Sequence, residues 1–381
     1  LGILATVLLA LALSAGCGDP ELVGNTGADV ASETLSSDAI VDTAPGDALS
    51  ADAPTVDVVS PDAVSDAADD AAAVDVVTDV PEPCVPTCGD LPSRLSATRY
   101  PIVLAHGAGG WDNVGPVEYW WNVASHLEGF GYGVYTGQVD PFNSSAVRGG
   151  QLANFIDQVL ACTCAQKVNL VAHSQGGIDS RYVVSSLGYG DRVASVTTIA
   201  TPHYGTPIAE ASAQVAAGQF VPGFTDDIIN WVLFFVGDVL NDPFENPDFL
   251  AQLDNLSVSG MEQFNIDNPD DPRVTYYSWA GRAGLTELGL EECADGEVPN
   301  PTGEINPMFG LLLPMWTLNG GLEGVANDGL VTVESSKWGR FRGCLPADHL
   351  AEIGHPLSFT SGFDYLKFFV ELAEFIEDEG F

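Results

Sequence analysis

Apolar residues fall into two kinds of run along the chain, and the two alternate. Tyr100–His106 (YPIVLAH) is continuously apolar and stops at a Gly-rich turn, which predicts a strand buried on both faces. Tyr132–Thr136, Val168–Ala172, Val193–Ala200 and Val274–Trp279 read the same way. Between them the period changes to that of a helix. Leu152, Phe155, Ile156, Val159 and Leu160 share one face of a helix predicted over 150–161. A second helix is expected from Gly177 to Leu187, and Leu366, Phe369, Val370, Ala373 and Phe375 pattern a closing one. Strands alternating with helices predict an α/β fold with a mostly parallel central sheet and helices on both faces. Sites in such sheets lie at the carboxyl ends of the strands.

The pattern is absent before residue 84. Residues 1–15 (LGILATVLLALALSA) form an uncharged apolar run with the length of a signal-peptide core, too short for a transmembrane helix. It leads into Ser14-Ala15-Gly16-Cys17, which resembles a bacterial lipobox, so residues 1–17 are read as a signal peptide with Cys17 acylated. Gly18 rather than Asp follows the cysteine, so no inner-membrane retention signal is read there. Residues 18–83 hold 16 of the 17 carboxylates that precede Arg94, the first basic residue, and contain no aromatic side chain. Pro45, Pro54, Pro61, Pro81 and Pro83 interrupt them. Such a segment buries too little apolar surface to offset its ordering entropy and is expected to be a disordered acidic linker. All 7 Trp, 10 Tyr and 18 Phe lie in residues 84–381, long enough for one large core. The formal charge of −41, with 12 basic against 53 acidic residues, argues against nucleic-acid binding and against electrostatic adsorption to anionic lipid.

Candidate chemistry centres on Ser174. The strand VNLVA runs into His173-Ser174-Gln175-Gly176-Gly177 and then a helix, the setting of a nucleophile elbow. Ala172 stands where that motif has its first glycine. A serine needs an adjacent base. With the order serine, acid, histidine, the base is His349 or His355. The acid is Asp328, in the turn Asn327-Asp328-Gly329 before an extended apolar stretch, or Asp348, whose side chain is adjacent to His349 in sequence. Backbone donors for an oxyanion are expected at Gln175, after the nucleophile, and at Ala108, in the Gly-rich loop after the first strand.

The segments YPIVLAHG, VNLVAHSQGGIDSRYV, VTTIATPHYGTPIAE, YYSWAG, NDGLV and DHLAEI, in this order over about residues 99–360, resemble secreted bacterial triacylglycerol lipases of the Pseudomonas–Burkholderia type. The resemblance implies an α/β-hydrolase fold with Ser174, Asp328 and His349 as a triad and Ala108 and Gln175 as oxyanion donors. It also implies a helical lid, placed at about 207–260. There Ile228–Leu240 (IINWVLFFVGDVL) carries Trp231, Leu233, Phe234 and Phe235, expected to meet lipid. The expected activity is hydrolysis of acylglycerol esters at an interface, by a protein exported to the outer membrane or cell surface as a lipoprotein, or secreted. Alternatives are a soluble esterase, depolymerase or acyltransferase on the same triad, and a non-catalytic surface lipoprotein with the hydrolase fold. No residue speaks to a dedicated folding chaperone.

The chain departs from these relatives at their structural calcium. One calcium-binding Asp lies two residues after the catalytic histidine, where this chain has Ala351, and the other falls near Asn306. A methyl and a neutral amide do not replace two carboxylates around a hard cation, so no cofactor and no metal are expected. Six cysteines besides Cys17 allow fifteen pairings. Cys293 and Cys344 flank the region that calcium fixes in the relatives, and their pairing is expected to fix it here. Cys84 and Cys88 would then bridge to Cys162 and Cys164. Closing the Cys293–Cys344 loop would stabilise by about 4 kcal/mol through lost unfolded-chain entropy.

Overall fold

The computed structural model describes residues 84–110, 118–221, 246–284, 290–298, 308, 310–356, 358 and 362–381. The expected signal peptide, Cys17, the acidic linker, the lid residues Trp231, Leu233, Phe234 and Phe235, and Asn306 lie outside them.

In chain order the main elements are β1 (Ile102–Ala105), α1 (Val123–Gly129), β2 (Val134–Gly137), α2 (Ser145–Thr163), β3 (Val168–His173) and α3 (Gln175–Ser185). They continue with β4 (Val193–Ile199), α4 (Pro207–Ala216), α5 (Pro247–Leu256), α6 (Val258–Asp267), β5 (Thr275–Gly281) and α7 (Leu313–Leu318). The last three are α8 (Val333–Ser336), β6 (Arg340–Leu345) and α9 (Tyr365–Asp378). The six strands form one sheet in the order β2-β1-β3-β4-β5-β6, every pair parallel.

The continuous apolar runs become strands because both sheet faces are covered. Ile102 and Leu104 point into a core completed by Trp120, Val123 and Leu127 around α1 and by Phe369, Leu372 and Ile376 of α9. Val103 and Ala105 point the other way, into Leu152, Ile156 and Val159 of α2 and Val183 and Val184 of α3. This is the alternation of side chains along a strand, with both faces dry. The chain leaves β1 toward β2 on one side and reaches β3 on the other, so the crevice at the carboxyl ends of β1 and β3 is the topological switch point.

Two local expectations change. The stretch after Asp328 is not a strand: Leu330 and Val331 give their N–H groups to Asp328 Oδ1 at 2.8 and 2.7 Å. One antiparallel bridge, Asn327 to Thr332, remains. Thr332 then caps α8, its Oγ1 accepting from Ser335 N. The sixth strand is instead β6, RFRGCL, whose arginines and glycine hide it from a reading based on apolar runs.

Both flanks of the expected lid range are helices packed on the body of the fold. Ala209 of α4, Phe249, Leu253 and Leu256 of α5, and Met261 and Phe264 of α6 form a buried cluster with Ile178 of α3 and Phe142.

Candidate active site

Ser174 sits between the end of β3 and the start of α3 with φ 55° and ψ −133°, a left-handed conformation rare outside glycine. The surroundings force this turn. Ser174 N donates to Ile199 O at 2.9 Å, and its carbonyl accepts from Thr201 Oγ1 at 2.8 Å. The two glycines that follow allow the close approach. A Cβ on Gly176 would lie 2.3 Å from Ala105 O, and one on Gly177 would lie 2.2 Å from Thr201 Oγ1. Ala172, in place of the motif's first glycine, is fully buried in the core on the α2–α3 face of the sheet.

Ser174 Oγ lies 3.0 Å from His349 Nε2, and His349 Nδ1 lies 2.7 Å from Asp328 Oδ2. Asp328 and His349 are both buried. With Asp328 a carboxylate, Nδ1 donates to it and Nε2 is left to accept the Ser174 hydroxyl proton. Asp328 therefore does two things at once, shaping its turn through Oδ1 and facing His349 through Oδ2. A backbone bond from His349 N to Asp328 O, 3.0 Å, ties the two loops together. Of the two histidines the sequence left open, His349 makes the bond to Ser174. Of the two acids, Asp348 turns away: its Oδ1 accepts from Leu350 N and Ala351 N at 3.0 and 2.9 Å and from Ser358 Oγ. It caps the loop that carries His349. His355 is held in a buried position that pushes its pKa down to about 4.

The loop after β1 meets the elbow at Gly107, where a Cβ would lie 2.6 Å from Ser174 Cβ. Ala108 follows on this loop and is exposed, while Gln175 is the first residue of α3, whose N–H has no acceptor within the helix. The loop is anchored from beneath. His106 Nε2 accepts from Val139 N at 3.2 Å, so its Nδ1 donates to Gly107 O at 2.9 Å. Burial and the nearby Arg148 guanidinium lower the His106 pKa to about 3, which keeps that neutral form. Arg148, fully buried, donates to His106 O at 2.8 Å and Gly107 O at 3.2 Å, and its Nε pairs with Asp179 at 2.8 Å.

The sequence reading missed Arg148, Asp179, Tyr119 and Glu352. Arg148 was detectable as a lone base four residues before Leu152 on the apolar face of α2. Glu352 gave no comparable signal. The Cys293–Cys344 bridge joins the short turn Leu290–Cys293 to the end of β6, five residues before His349. Cys84 pairs with Cys164 and Cys88 with Cys162.

A parallel sheet that presents a serine on a strained strand–helix turn, beside a histidine and an acid, defines the α/β-hydrolase class. Residues 100–240 match a family model described as the alpha/beta hydrolase fold. The chain is 32% identical over 287 residues to a triacylglycerol lipase of Vibrio cholerae, covering 70% of this chain and 83% of that one. A triacylglycerol lipase of Burkholderia plantarii is 32% identical over 277 residues, with 64% of this chain and 76% of that one covered. Lipase 1 of Pelosinus fermentans, at 20% identity, shares the fold with a TM-score of 0.52 over 74% of this chain and 99% of that one. The chain belongs to the triacylglycerol lipase family of α/β-hydrolases and is an ester hydrolase.

Proposed function

We propose that the chain cleaves acylglycerol esters through an acyl-enzyme on Ser174. The observation that carries this is the continuous Ser174–His349–Asp328 hydrogen-bond chain, 3.0 and 2.7 Å, at the sheet's switch point. His349 takes the Ser174 proton as Oγ attacks the ester carbonyl, then gives it to the leaving alcohol. Water, deprotonated by the same ring, releases the fatty acid. The N–H groups of Ala108 and Gln175 stabilise the oxyanion in both steps. A fluorophosphonate probe tests the reading: it should label Ser174 covalently, whereas a binding module with this fold would stay unlabelled.

With a formal charge of −41, attraction to lipid has to come from apolar surface. We assign that contact to Trp231, Leu233, Phe234 and Phe235 as part of a lid. Replacing Phe234 and Phe235 by Ser should reduce hydrolysis of emulsified triacylglycerol about tenfold more than hydrolysis of a dissolved butyrate ester. Equal losses on both would assign the segment to the core instead. Acylation of Cys17 would anchor the protein to a membrane, and detergent partitioning that survives Cys17→Ser would exclude it. The three disulfides support an exported location, since such bonds persist in oxidising compartments.

The family's calcium does not fit the residues here. Ala351 brings a buried methyl, and Asp348 beside His349 is already occupied by three donors. The Cys293–Cys344 bridge ties down the strand end that leads into the His349 loop. Activity and Tm should therefore resist EDTA and fall on reduction. A large EDTA loss restored by calcium would refute this.

A further inference from the structure

A second hydrogen-bonded chain runs beside the triad, and nothing in the proposed reaction uses it. Glu352 and His173 are both almost completely buried, and Glu352 Oε2 lies 3.0 Å from His173 Nε2. On the other side of the ring, His173 Nδ1 lies 2.6 Å from Tyr119 Oη. That hydroxyl reaches the loop after β1: a Cβ on Gly107 would fall 2.6 Å from Tyr119 Oη and equally close to Ser174 Cβ. The chain also starts where the triad starts. Glu352 and Asp328 flank the same glycine, since a Cβ on Gly281 would meet Glu352 Oε1 at 1.5 Å and Asp328 Cβ at 2.8 Å. The His173 and His349 rings lie side by side, 4.5 Å between centroids.

A buried carboxyl and a buried imidazole are costly unless they are paired, and apolar residues of the same size would fill the space at lower cost. We infer that Tyr119, His173 and Glu352 are positioning residues that hold the Gly107–Ala108 loop against Ser174, so that its backbone donor stands ready for the oxyanion. This deepens the triad reading above and rests on it. The protons can be assigned along the chain. Burial, the nearby Asp328 and Asp348 carboxylates and a side-chain hydrogen bond with Asp328 hold the Glu352 carboxyl well above the usual range, which favours its protonated form. Burial and the adjacent His349 keep His173 well below its ordinary value, so that ring is neutral. Glu352 therefore donates to His173 Nε2, and His173 Nδ1–H donates to the Tyr119 oxygen. The chain is neutral throughout. It orients groups beside Asp328 without adding a second negative charge to compete for His349.

The test uses the full chain with a dissolved p-nitrophenyl butyrate and a boronic acid. The boronate forms a tetrahedral adduct on Ser174 and so reports the oxyanion donors. Tyr119→Phe removes only the hydroxyl, and Glu352→Leu breaks the chain at its other end. Each should lower kcat about 10- to 100-fold at nearly constant KM and weaken the boronate by a similar factor. The double variant should lose no more than the worse single one, because both cut the same chain. Glu352→Gln, whose amide N–H can still donate to His173 Nε2, should restore most of the kcat lost in Glu352→Leu. Multiplying losses in the double variant, an unchanged Tyr119→Phe, or a Gln variant as poor as the Leu variant would each overturn the inference. If Glu352→Leu does not fold, Tyr119→Phe still decides it, and Glu352→Gln is compared with the unchanged protein, most of whose kcat it should keep. Failure of the triad reading would look different: Ser174→Ala would remain active and the boronate would bind it unchanged.

Discussion

Replacing Ser174 by alanine is expected to lower kcat by roughly four to six orders of magnitude while the fold and substrate binding persist. His349→Ala should be as severe, because Ser174 Oγ has its 3.0 Å bond to that ring. The double variant should be little worse than either single one, since nucleophile and base act as a unit and the remaining rate comes from the oxyanion donors and binding. Single-turnover hydrolysis of a dissolved ester measures this directly. Near-normal turnover in His349→Ala would transfer the role of base to His355 and break the assignment.

Arg148→Met should cost about 3–5 kcal/mol of stability, seen as a fall in Tm of about 10 °C. The arginine is fully buried, and its partner Asp179 is buried with it. Burial raises the Asp179 pKa even though Arg148 and the Ser145 hydroxyl oppose that shift, so removing Arg148 leaves a buried carboxylate without its cation. The carbonyls of His106 and Gly107 lose their donor in the same change, so kcat should fall as well. Adding Asp179→Asn should recover part of the stability by removing the stranded charge. A double variant no more stable than Arg148→Met would show that the loss lies in packing around the guanidinium stem rather than in the charge.

How much of this could be read from the chain depends on whether a feature is local. The five apolar strands are local, because a parallel strand covered on both faces must be apolar throughout. So is the elbow, where a strand, a serine and two glycines occur together. The order of Ser174, Asp328 and His349 narrowed the triad but left His355 and Asp348 open, and only the path of the loops separates them. Strand β6 was hidden because its exposed Arg340 and half-buried Arg342 take part in ion pairs with Glu297 and Glu379, and Gly343 interrupts its pattern. The Arg148–Asp179 and His173–Glu352 pairs join residues 31 and 179 positions apart, and no spacing rule reaches that far.

The paired bridges Cys84–Cys164 and Cys88–Cys162 set a load path. A pull on the chain ahead of Cys84 passes through covalent bonds into the last turn of α2 and the residue that closes it, before it can act on β1. Along the chain, β1 and its hydrogen bonds to β2 and β3, on which the Gly107 loop and the serine turn depend, come after that clamp. Peeling β1 from the sheet by its leading end therefore requires both clamps to be reduced first.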